Sequence, residues 1–131
     1  MSAAGYLLDT SFLVDYERET ADDRPGPATR TLDSLPAAAR LYVTPVTLAE
    51  IMEGADDPAE AARALAAYRQ QTIGWAAALR CGAQQAAAPQ RLGENDAWQA
   101  ALAIRAGLTL VGHDRAFERV PGLAYRDHRA A

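Results

Sequence analysis

Three short apolar runs in this chain each give way at once to a turn or a helix start, and that alternation constrains the fold more than any other feature. Tyr6-Leu7-Leu8 ends on Asp9, and Thr10 or Ser11 can cap a helix running through Phe12, Leu13 and Tyr16. Leu41-Tyr42-Val43 is closed by Thr44 and Pro45, and proline suits a first helical turn because its missing N–H would have no partner there. Leu108-Thr109-Leu110-Val111 turns out through Gly112-His113-Asp114. Apolar runs this short, interleaved with helical periodicity, read as buried strands of a mostly parallel sheet covered by helices on both faces, the α/β class. At 131 residues the chain is long enough for one such core and too short for two.

The stretches between the strands read mainly as helices. A charged Pro/Gly loop at Asp22 to Pro27 precedes a short helix containing Leu32 and Leu35. Helical patterns then run from Val46 to Gly54, from Pro58 through Tyr68, and from Trp75 to about Ala88. Asn95 caps a strong helix from Asp96 to Ala106, which stops at Gly107. Thr72-Ile73 is a weak strand candidate, and Ala124-Tyr125 adds an edge strand.

In a parallel sheet, the carboxyl ends of strands and the amino ends of helices gather at one edge, where such folds put their sites. Four acids fall there: Asp9, Glu50, Asp96 and Asp114. Clustered carboxylates repel unless protons or cations neutralise them, and hard oxygen donors favour Mg²⁺ or Mn²⁺. The combination points to metal-dependent phosphodiester chemistry. Each acid alone has a plainer reading. Asp9 and Asp114 can serve as turn or capping residues, and Asp96 suits the helix dipole in a first turn. Thr47-Leu48-Ala49-Glu50 also matches a capping box, in which the glutamate bonds back to the cap.

Other residues weigh less. His113 could move a proton near neutral pH, or merely occupy a turn. Arg115 could contact a phosphate, and His128 belongs to a charged, solvated tail. Trp75, Trp98 and Tyr68 sit at helical spacing and read as core or partner-face residues. Cys81, the only cysteine, reads as a buried thiol, precludes an intrachain disulfide and suits a reducing cytoplasm. Met1 to Leu8 has no basic region, so it does not read as a signal peptide, and no apolar run of about 18 residues suggests a membrane span. The net charge of −4 is unusual for a nucleic-acid enzyme, but bound cations would cancel charge concentrated at a metal site. All the basic side chains are arginine, the planar fork that suits phosphate.

Four stretches carry a family resemblance: Leu7 to Asp15, Thr44 to Ile51, Gly93 to Val111, and Gly112 to Phe117. In this order they resemble the PIN-domain ribonucleases, and within them the VapC-type toxins of bacterial toxin–antitoxin pairs. The resemblance implies one PIN domain over residues 1–131, an α/β/α sandwich around a mostly parallel sheet. It assigns metal binding and catalysis to Asp9, Glu50, Asp96 and Asp114, and places Ser11 and Asn95 behind those ligands. It further implies a cytoplasmic, Mg²⁺- or Mn²⁺-dependent endoribonuclease that leaves 5′-phosphate and 3′-hydroxyl ends. The implied partners are RNA, a second copy in a homodimer, and an antitoxin whose carboxy-terminal segment covers the site. An apolar groove around Phe12, Leu32, Leu65 and Tyr68 is a candidate seat for that antitoxin.

Two other classes fit the same layout. An aspartyl-phosphate enzyme could use Asp9 as nucleophile, but families of that kind typically place a lysine beside the phosphate and this chain has none. A PIN-like module that binds RNA or a partner without catalysis would more naturally have lost one of the acids.

Overall fold

The structure, a computed structural model, describes residues 4–130. The part of the amino-terminal reading that rests on residues 1–3 lies outside them. Strands β1 (Gly5–Leu8), β2 (Arg40–Val43), β3 (Arg69–Gln70), β4 (Thr109–Gly112) and β5 (Tyr125–Asp127) form one sheet in the order β3-β2-β1-β4-β5. Every neighbouring pair is parallel. Helices α1 (Thr10–Ala21), α2 (Pro27–Ser34), α3 (Pro45–Gly54), α4 (Pro58–Leu65), α5 (Trp75–Ala87) and α6 (Glu94–Ala106) supply the connections, with a 3₁₀ turn at Arg115–Arg119.

Side chains alternate across a strand, so adjacent residues of β1 feed opposite faces. Leu7, opposite Leu110 on β4, packs with Ala77 and Cys81 of α5 and with Ala97, Ala100 and Leu102 of α6. Leu8, opposite Val111, packs instead with Phe12 and Leu13 of α1, Ala28 of α2 and Leu65 of α4. The result is the expected α/β/α sandwich, its central strands buried from both sides. The alanine face of α6 brings that helix close to its neighbours. Gly107 then ends it at φ 68°, a left-handed conformation that costs glycine nothing.

Several local expectations are corrected. The third strand is Arg69–Gln70, paired with Tyr42 and Val43, and not Thr72-Ile73, where the side chains are exposed. The cap of α6 is Gly93, so Asn95 lies inside the first turn, exposed. The groove proposed around Phe12 does not exist as such. Phe12 has no exposed surface and Leu65 is buried, because both belong to the core beneath α1 and α4. The start of α2 has no capping side chain of its own. Glu19 of α1 fills that role across the loop, accepting from the amides of Gly26, Ala28 and Thr29 at 2.7, 3.0 and 2.9 Å.

His128 is not solvated. It is 3% exposed, lies edge-on to Phe12, and its Nε2 sits 2.8 Å from Asp15 Oδ2. Arg129 donates from Nε and Nη2 to the two oxygens of the same carboxylate, each at 2.8 Å. The tail is therefore clasped onto α1, and charge at that position marked a buried anchor. The Arg129 hydrogen bonds hold the Asp15 carboxyl well below its ordinary range, against the opposing effect of burial and with help from His128.

A depressed carboxyl contributes stability above its unfolded-state value of 3.8 and loses it as the pH falls through the native value. Asp15→Ala should cost about 3 kcal/mol in urea unfolding, the range for breaking a buried pair, since it strands His128. It should also flatten the acid limb of the stability profile below about pH 4.

Candidate active site

From β1 the chain builds the sheet outward to β2 and β3, then crosses to the other side for β4 and β5. The carboxyl ends of β1 and β4 therefore form the switch point, the crevice where open α/β sheets take their ligands. Asp9 leaves the end of β1 and caps α1, and Gly112-His113-Asp114 leaves the end of β4. Glu50 arrives from α3 and Asp96 from the first turn of α6. All four acids line one open cavity of about 530 Å³, shared with Ser11, His113 and Arg115. Asn95 does not line it, but lies with Glu50 and Trp98 on a neighbouring cavity.

Close approach at the crevice leaves little room for a side chain at Gly112. A Cβ on Gly112 would sit 3.0 Å from Ser11 Oγ and 3.1 and 3.2 Å from Asp9 Cβ and Oδ2. Ser11 Oγ donates to Asp9 Oδ2 at 2.8 Å and accepts from the His113 amide at 3.2 Å. The hydroxyl thus joins the ends of β1 and β4 and fixes one oxygen of Asp9.

The capping-box reading of Glu50 fails. Thr44 caps α3, its Oγ1 accepting from the Thr47 amide at 3.2 Å, which leaves Glu50 a turn further along. Glu50 Oε1 instead accepts from Thr10 Oγ1 at 2.9 Å. Asp114 keeps its plainer role as well, accepting from the Ala116 amide at 2.8 Å at the start of the 3₁₀ turn.

The residue that sequence reasoning missed is Gln99. Its amide donates to Asp9 Oδ1 at 3.2 Å and to Thr47 Oγ1 at 2.8 Å, while its oxygen accepts from Thr44 Oγ1 at 2.6 Å. A signal was available: it stands one helical turn beyond Asp96, a lone polar residue in an alanine-rich helix face.

Electrostatics set the character of the cavity. Among the described residues the ion pairs all converge on Asp15, so none of the four cavity acids has one. The Asp96 carboxyl is pushed up to about 7, first by burial, then by the charge of Asp9, a hydrogen bond to Asp114 that needs the proton, and the charges of Asp114 and Glu50. A donor set of carboxylates that oppose one another's ionisation fits a hard divalent cation. Full convergence is still lacking. Among the described residues no three acid, histidine or cysteine side chains stand close enough to grip an ion as they are.

A carboxyl raised above its unfolded value stabilises the fold while protonated, and that contribution disappears as the pH climbs through the native value. Metal-free protein should therefore lose stability between about pH 4 and 7. Asp96→Asn should raise the thermal midpoint at pH 8, worth on the order of 1–2 kcal/mol once water screening of a half-buried group is allowed for. At pH 4 the two proteins should melt together.

Comparison with known proteins agrees with this layout. The family model described as PIN domain matches residues 6–123. No curated protein matches. Among solved structures, VapBC-1 from nontypeable Haemophilus influenzae aligns with a TM-score of 0.77 at 20% identity, over 96% of this chain and 99% of that one. DNA-bound VapBC from Salmonella typhimurium aligns with a TM-score of 0.76 at 21% identity, over 97% and 99%. Mycobacterium tuberculosis VapC20, described as a sarcin-ricin loop cleaving toxin, gives 0.69 at 19% identity, over 93% and 99%. At such identities the likeness is one of fold. The family match, however, runs from β1 almost to β5 and takes in every stretch that carries a cavity acid, and on it the chain belongs to the PIN-domain family.

Proposed function

We propose that this protein is a Mg²⁺- or Mn²⁺-dependent endoribonuclease and the toxin of a toxin–antitoxin pair. One observation carries the reading: four carboxylates from four separate stretches line a single cavity at the switch point, none of them in an ion pair with a described residue. The fold shared with VapBC structures and with a toxin described as cleaving the sarcin-ricin loop supports it.

Asp9, Glu50, Asp96 and Asp114 are the residues that would hold the metal. The bound ion supplies Lewis acidity, which offsets phosphate charge and makes water a better nucleophile near neutral pH. Ser11 and Gln99 each hold one oxygen of Asp9, which lines the cavity. Arg115, on the cavity wall, supplies a fork for a phosphate oxygen of the RNA. Water then opens the phosphodiester, leaving a 5′-phosphate and a 3′-hydroxyl. No helix among the described residues is long and apolar enough to cross a membrane, and this function places the protein in the cytoplasm with its RNA and its antitoxin.

A homodimer completes the proposal. Ile73, Trp75 and Leu79 are 41%, 83% and 63% exposed, and Leu48 of α3 adds a fourth bare apolar side chain. Trp75 and Leu79 stand one helical turn apart on α5, an apolar surface that a second copy would cover. Trp75 is thus a partner-face residue and not a core one, whereas Trp98 packs on the core.

The incomplete convergence of the acids is the one observation favouring a non-catalytic PIN-like module, and experiment separates the two. Purified protein freed of any antitoxin should cleave RNA with Mg²⁺ or Mn²⁺ and stop in excess EDTA. Asp9→Asn and Asp96→Asn should each lower cleavage by at least about 100-fold with the fold intact by circular dichroism. Undiminished cutting by Asp96→Asn would exclude the metal mechanism, and absence of both cleavage and calorimetric metal binding would establish the binding module. Separately, Trp75→Glu with Leu79→Glu should convert the dimer to monomer in sedimentation velocity.

A further inference from the structure

Gln99 has no exposed surface, yet it sits among Ala97, Ala100, Ala101, Leu102 and Ala103 on the buried face of α6. An apolar side chain would be the cheaper occupant, since a buried amide at best recovers its lost hydration through hydrogen bonds. The reason for its polarity lies in what its bonds connect.

The direction of the network follows from the chemistry of its ends. The Asp9 carboxylate can only accept, so the Gln99 NH₂ must face it, and the amide oxygen must face Thr44, whose hydroxyl donates. The second Gln99 proton goes to Thr47 Oγ1. The Thr10 proton goes to Glu50, so the 3.1 Å link between the Thr47 and Thr10 hydroxyls uses the Thr47 proton. Every donor on this path therefore points toward one of two cavity carboxylates. Asp9 is also gripped at two different oxygens, Oδ1 by Gln99 and Oδ2 by Ser11, which blocks rotation of the carboxylate.

We infer that Gln99 is a positioning residue for metal binding, setting Asp9 directly and Glu50 through the Thr47–Thr10 hydroxyl relay. This rests on the metal-dependent reading above. Gln99 touches neither RNA nor the reacting atoms. Its role is to hold the orientation of those two carboxylates, so that less reorganisation remains when a cation arrives, the task of residues that orient ligands from behind.

The test is a calorimetric Mn²⁺ titration of metal-stripped protein, with melting temperatures measured in parallel. Gln99→Met, similar in length and without polar hydrogens, should weaken Mn²⁺ binding by about 10–100-fold. Thr47→Val breaks the relay to Glu50 but leaves the Gln99–Asp9 bond, and should weaken it by about tenfold, the low end of that range. It also decides the matter if Gln99→Met does not fold. Leu102→Ala opens a cavity one turn along the same helix and should lower the melting temperature while keeping wild-type affinity. Wild-type affinity in a folded Gln99→Met protein or in Thr47→Val overturns the inference, as does an equal loss in Leu102→Ala, which would mean general loosening. Failure of the wild type to bind Mn²⁺ is a different outcome, and removes the metal-dependent reading together with this one.

Discussion

The parallel pairing of β1 with β4 is the constraint on which the rest of the molecule depends. Leu7 against Leu110 and Leu8 against Val111 fix the register, and the amide of Asp9 extends the ladder by donating to the Val111 carbonyl at 2.9 Å. A slip of one residue would exchange the two faces of β1 and send Leu7 and Leu8 to the wrong helix layers. It would also move Gly112 away from Ser11 and Asp9, where an added Cβ would be tightly held. Core packing and site geometry are therefore set by the same hydrogen bonds.

Those bonds assemble something the fold alone would disfavour. Burial, followed by the neighbouring carboxylates of Asp9, Asp114 and Glu50, raises the proton affinity of Asp96, so its ionised form opposes folding near neutral pH. Stability is recovered elsewhere, in the two apolar layers and in the Asp15 clasp that ties the carboxy-terminal residues to α1. Strain concentrated at a site and offset by the surrounding structure is a common arrangement in proteins that bind charged ligands. A cation would relieve this repulsion, which links binding to stability in the same residues.

Much of this was legible along the chain. The strands around Leu7, Tyr42 and Leu110 announced themselves because a strand buried on both faces must be apolar throughout. The helix starts at Pro45 and Pro58 and the stop at Gly107 were equally readable, since proline and glycine act through their own backbones. Where signals competed, local reading failed. Thr47 and Glu50 have capping-box spacing, but Thr44 took the cap because Pro45 already fills the first turn. Asn95 was a good cap by type, yet Gly93 begins α6 one residue before Glu94. Arg129 and His128 read as solvated tail because nothing near them in the chain showed the carboxylate of Asp15, far back in α1.

From the order of residues alone came the α/β class, the buried strands, and the acids that stand at strand ends and helix starts, because each depends on neighbours a few positions away. The third dimension alone decided that Gln99 would join Asp9 to Thr47, that His128 would be buried, and that β4 would lie beside β1 and not beside β3. Strand order and long-range hydrogen bonds are settled by how whole layers pack. A buried amide's partners, up to 90 positions distant here, leave no periodic trace in the sequence around it.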